Sequence, residues 1–136
     1  MILIMKPTLP KTSQARRSSE HGGRYHRLFA RKAAQEAGRV LRFFEREFPH
    51  DARPRLAMEA IGDWGQGKRE LGMAEVRKLS LDAHAAARAA KTDAARCAAR
   101  AAGQAVATWH VPTHAMAVPY YVCKALFAEK ESKRKR

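Results

Sequence analysis

Fourteen of the twenty-five residues from Ala83 to Ala107 are alanine, and no other feature of the chain limits its fold as tightly. Alanine has the highest helix propensity, and its methyl group lets neighbouring backbones approach unusually closely. The run is interrupted by Lys91-Thr92-Asp93, where Thr92-Asp93 is a capping signal. It therefore predicts one helix from Met73 to about Ala90 and another over about 93–108. A connection of only a few residues forces this pair to lie antiparallel.

The flanking sequence adds three more helices. Over Arg27–Phe48, the residues Ala33, Ala37, Val40, Leu41, Phe44 and Phe48 form an apolar stripe at helical spacing. Arg31, Gln35, Arg39, Arg42 and Arg46 occupy another face, which reads as a solvated face or an anion-binding strip. In PHDARPR, Pro54 fixes its own φ and turns Arg53 away from helical geometry, so a helix over about 54–66 starts there and stops near Gly65-Gln66-Gly67. The last helix covers about Pro112–Lys130. Its AMAVPYYVC stretch is uncharged throughout, which predicts a rod apolar nearly all round and enclosed by the others. Pro119 within it should free the carbonyl of Ala115 and kink the rod. No strand-type alternation occurs. The predicted fold is all-α, a single domain built as a compact array of about five helices.

The ends differ in character. Residues 1–24 mix basic side chains with proline, serine and glycine and read as a flexible basic arm; residues 25–130 form the helical domain, and 131–136 a basic tail. The formal net charge is +14. Residues 1–24 carry five bases and one acid, residues 124–136 six and two, and the remainder sixteen and ten, so more than half the excess lies at the two ends. Such a molecule attracts anionic partners, either an acidic protein surface or nucleic acid held by the basic ends and by Arg31, Arg39, Arg42 and Arg46. MILIM is too short for a signal sequence or a membrane span, so no membrane partner is expected. Cys97 and Cys123 fall in apolar helical segments without metal-type spacing, as buried thiols of a reducing compartment do, which points to the cytoplasm. The oligomeric state is not set by these features.

Chemistry-bearing patterns are sparse. There is no nucleophile elbow, no glycine-rich phosphate loop after a strand, no CxxC and no convincing pair of carboxylates. His110 and His114 would share a face on an unbroken helix, but Pro112 between them more naturally opens the last helix and leaves His110 in the preceding corner. His84 lies at the edge of the inner face of its helix. His84, His110 and His114 could complete a zinc site with water, the basis of a metal-dependent enzyme. The competing reading makes them neutral imidazoles that cross-tie helices, with no cofactor and no catalysis. Asp51 can orient Arg53 or Arg55 as a structural corner ion pair.

Asp51-Ala-Arg-Pro-Arg55 followed by Ala60, Trp64 and Gly67, then LDAHAAARAA over 81–90 and AARAAGQAVATWHVPTHA over 98–115, resembles the immunity-five-like family of bacterial polymorphic toxin systems. The resemblance spans about residues 30–127. It implies a small all-helical cytoplasmic protein that neutralises a cognate toxin. The positions it carries over are Asp51, Arg53, Arg55 and Trp64 at the corner, and His84, His110 and His114 in the alanine-rich half. Gln104 departs from the family pattern, where histidine is frequent. The resulting expectation is a non-catalytic protein-binding module. Its own basicity makes a basic target unfavourable and an acidic face on the toxin favourable.

Overall fold

The computed structural model describes residues 21–136. Six α-helices run in chain order: α1 (Arg24–Gly38), α2 (Leu41–Glu47), α3 (Arg53–Gly65), α4 (Met73–Ala89), α5 (Asp93–Ala107) and α6 (Ala117–Arg134). A 3-10 turn over Pro112–Met116 leads into α6. Among the described residues there is no strand. Residues 1–20, which hold most of the predicted arm, lie outside the described residues. Helix α1 already begins at Arg24, and His21 packs against Trp109 with ring centroids 4.5 Å apart, so the folded body starts before the predicted boundary. At the other end α6 continues through the predicted tail to Arg134.

Helix α5 is the centre of the molecule. Every other helix and the 3-10 turn pack against it. Ala94, Ala95, Cys97, Ala98, Ala99, Ala101, Ala102, Gly103, Ala105 and Val106 are all buried, so the helix is enclosed on nearly every side. That position demands small side chains, because five helices crowd around one axis and interaxial distance grows with the side chains at the contact. Its start is set as expected: the Thr92 hydroxyl accepts from the Ala95 N–H at 3.2 Å. Glu47, at the end of α2, clamps the same turn by accepting from the backbone N–H of Lys91, from the Thr92 N–H and from the Thr92 hydroxyl.

The enclosed rod expected at residues 112–130 is not found. Only Val118, Val122 and Ala125 of α6 are buried, while Met116, Tyr120 and Phe127 are exposed by 66%, 59% and 66%. Pro119 does not kink the helix either. The chain makes its 3-10 turn first and restarts at Ala117, which puts Pro119 in the first turn of α6, where a backbone N–H has no intrahelical acceptor.

The helix expected over residues 27–48 is broken into α1 and α2. At Arg39 and Val40 the amides bond back three residues, to Glu36 and Ala37, and the axis turns. The turn allows Val40, Leu41, Phe43 and Phe44 all to be buried. Their i, i+1, i+3 and i+4 spacing keeps all four on one inward face, while Arg42 between them is exposed.

Helices α1 and α3 meet at Gly65. A Cβ there would fall 2.7 Å from Cγ of Arg31 and 3.0 Å from two backbone atoms of α1, so only glycine permits this approach. The contact is sealed by Arg27 Nη1 donating to the Trp64 carbonyl and Arg31 Nη1 donating to the Gly65 carbonyl, at 2.5 and 2.7 Å.

Candidate binding surface

The corner positions serve the fold. Asp51 accepts from the guanidinium of Arg53 at 2.7 Å and from the Arg53 N–H at 3.1 Å, which starts α3. That guanidinium, outweighing the cost of burial, holds the Asp51 carboxyl below the usual carboxylate range. Arg55 pairs instead with Glu45 of α2 and Glu59 of its own helix. Trp64 is buried, with Arg27 stacked 4.6 Å from its ring centroid.

The arginine row does not survive as one face. Arg31 and Arg39 lie on α1, Arg42 and Arg46 on α2, and each guanidinium is engaged within the protein. Arg31 binds the Gly65 carbonyl, Arg39 binds Glu36, Arg42 binds the Arg39 carbonyl, and Arg46 makes a two-pronged bridge to Glu129 of α6.

The histidines separate into distinct settings. His84 of α4 lies against α5, its Nδ1 accepting from Arg100 Nη1 at 2.8 Å and its ring edge resting on Gly103, where a Cβ would be 2.7 Å from Nε2. Burial, followed by the charges of Arg100, Arg88 and His114, lowers the pKa of His84, so the ring is neutral at neutral pH. His114 Nδ1 donates to the Gln104 side-chain oxygen at 2.8 Å, which gives a role to the glutamine that departs from the family pattern. His110 sits exposed in the corner before Pro112, as expected. The structure thus brings together His84 and His114 with Arg100 and Gln104, and leaves His110 out. Among the described residues no group of three or more His, Cys, Asp or Glu side chains is placed to hold a metal ion, so the three-histidine zinc alternative is not assembled.

Two polar residues went unnoticed in the sequence. His26 is 2% exposed; its Nε2–H donates to the Thr108 carbonyl at 2.6 Å and its Nδ1 accepts the Gly22 N–H at 3.1 Å. Burial lowers its pKa against the raising effect of the Thr108 bond, and the imidazole ties the start of α1 to the end of α5. The signal was legible in its spacing, since His26 lies in phase with Ala30, Ala33 and Ala37. Arg100 could have been found similarly, three and four residues from Gly103 and Gln104.

Exposed large apolar side chains gather on one side of the last helix. Met116, Tyr120, Cys123 and Phe127 follow one another along the outer side of the 3-10 turn and α6, with Pro119 beside them, all exposed. Cys123 is thus not the buried thiol expected, whereas Cys97 is buried and its pKa is raised by that burial. From Tyr120 to Phe127 the row extends about 10 Å. On α1, Arg27, Arg31 and Ala34 mark the flank against α3; Tyr25 and Phe29, also exposed, lie on the opposite flank, the side toward the 3-10 turn and α6. Lys124 Nζ stands 5.1 Å from the Tyr120 ring centroid. Among the described residues, neither Lys124 nor Lys130 has a carboxylate within ion-pair distance; the bridges on α6 are made by Arg46, Lys133 and Arg134. No helix among the described residues is long and apolar enough to cross a membrane.

The family model described as "Imm-5 like putative immunity protein" matches residues 22–136, further at both ends than the sequence motifs reached. No curated protein and no solved structure matches the chain.

Proposed function

Because the chain belongs to the Imm-5 like immunity protein family, we propose that it neutralises a cognate toxin by binding it, as a non-catalytic helical module. The observation that carries this reading is the uncovered row on α6. Tyrosine, phenylalanine and methionine are side-chain types enriched in the buried centres of protein interfaces, and here they stand in helical register on a rigid element with unpaired lysines beside them. Exposed apolar residues scattered singly are ordinary; a continuous file of them on one helix is the mark of an interaction surface. The cations flanking the row, together with the net charge of +14, favour a toxin with an acidic rim around an apolar patch. The imidazoles of His26, His84 and His114 and the guanidiniums of Arg31, Arg46 and Arg100, by contrast, are engaged with groups of the protein itself.

The test is co-expression with the product of the adjacent gene. The expected result is that this chain restores growth and co-elutes with that product as a defined complex at low salt. Lack of both complex and rescue overturns the proposal.

A further inference from the structure

Phe127 is the last residue of the exposed row on α6 and also a wall of a groove of about 780 Å³ between α2, the turn at 91–93 and the end of α6. We infer that this groove seats an acidic, aromatic- or aliphatic-bearing segment of the partner protein, so that the interface runs along α6 and ends in a carboxylate-reading cleft. The inference rests on the binding role proposed above and names what that role would recognise.

The groove has two kinds of lining. Its apolar part is Phe43, Phe127, Ala94 and Ala128, enough to take one large apolar side chain. Its polar part has equal numbers of cations and carboxylates, but their commitments differ. Glu47 accepts from the backbone of Lys91 and from Thr92; Asp93 holds Arg96, Glu129 holds Arg46, and Glu131 holds Arg134. The lining cations left without a carboxylate partner among the described residues are Lys91, Lys135 and Arg136. The groove's unengaged charged donors are therefore Lys91, Lys135 and Arg136, and they call for an anion, while one oxygen each of Asp93 and Glu131 stays free to accept from the same occupant.

Three anionic or apolar occupants can be weighed. A second copy of this chain would bring another +14 against the same cations. A nucleic acid strand carries a phosphate about every 3.4 Å and would press some of them onto the four carboxylates interleaved in the lining. A peptide can space its carboxylates to meet Lys91, Lys135 and Arg136 while its apolar side chain enters between Phe43 and Phe127. The mixed lining fits only the last of these.

The experiment uses the full chain and the purified, catalytically inactivated product of the adjacent gene, with binding measured by calorimetry. One variant carries Lys91→Gln, Lys135→Gln and Arg136→Gln; a second carries Phe127→Ser, at an exposed position that leaves the core intact. A third, with Lys32→Gln, Lys68→Gln and Arg77→Gln, makes the same charge change at exposed sites elsewhere. Circular dichroism confirms that each is folded. The groove variant and Phe127→Ser should each weaken the complex about tenfold or more, and the remote variant by less than about threefold. A wild-type complex whose affinity falls equally in the groove and remote variants overturns the groove while leaving the binding role standing. Absence of any wild-type complex overturns both. Displacement of the partner by a twelve-residue oligothymidylate, lost in the groove variant, assigns the cleft to nucleic acid and overturns the inference.

Discussion

Replacing Gly65 with alanine should damage the fold far more than adding one methyl group to a helix would suggest. The added Cβ would lie 2.7 Å from Cγ of Arg31, 3.0 Å from the Arg27 carbonyl oxygen and 3.0 Å from the Arg31 nitrogen. The arginine side chain can move, but the two backbone atoms belong to a helix held by Arg27 and Arg31 themselves. Overpacking of this kind costs about 1–3 kcal/mol. Separating α1 from α3 also stretches two charge-assisted hydrogen bonds, and losing part of one adds about 1 kcal/mol. The better helix propensity of alanine offsets at most about 1 kcal/mol. The net expectation is a loss of about 1–4 kcal/mol, the middle of which lowers Tm by roughly 10 °C for a domain of this size. Gly62→Ala is the internal control. Its Cβ would meet only the Ala34 methyl, at 3.3 Å, and the same propensity gain should bring it to within about 1 kcal/mol of wild type. Urea unfolding followed by circular dichroism at 222 nm measures both. If Gly65→Ala is as stable as wild type, or no worse than Gly62→Ala, the close α1–α3 approach is refuted.

Acidification should destabilise the protein as soon as pH falls below about 6.5. His26 and His84 have folded pKa values lowered chiefly by burial, so the unfolded chain takes up protons first; stability is full above about 6.5 and declines as pH falls through the folded values. The lowered carboxylates Glu45, Asp51 and Glu129 lose their contribution only as pH falls through the usual carboxylate range and below it, so the first decline belongs to the imidazoles. A urea midpoint unchanged between pH 7.5 and 5.5 would count against this, and His84→Gln should flatten part of the slope. Glu47→Ala removes the acceptor for two backbone amides and a hydroxyl at the α4–α5 turn and should cost about 1–2 kcal/mol; an effect below about 0.3 kcal/mol would show the clamp to be idle. Ala102→Leu, at the fully buried centre of α5, should cost about 3 kcal/mol or prevent folding, whereas Ala89→Leu at an exposed site should change stability by less than about 0.5 kcal/mol; equal effects would mean that α5 is not enclosed.

The sequence by itself determined the helices, because the signals that make them are local. Alanine propensity, the Thr92 cap, Pro54 and Pro112 at helix starts and the Gly65-Gln66-Gly67 stop act within one or two turns, and α3, α4 and α5 begin and end within about two residues of where those signals lie. The corner pairing of Asp51 with Arg53 was legible for the same reason, since two residues separate them. What only the tertiary structure decided is which helix stands in the middle. Hydrophobicity pointed to residues 112–130, but the central place among five neighbours is governed by side-chain radius, and the alanine helix α5 alone is thin enough all round to occupy it. Once α5 takes the centre, α6 can bury only one side, and its Met116, Tyr120, Cys123 and Phe127 are left facing outward. The anchoring of His26 and the pairing of Arg46 with Glu129 likewise depend on segments that meet across large separations in the chain. The candidate surface is thus a consequence of packing geometry, which no single stretch of sequence contains.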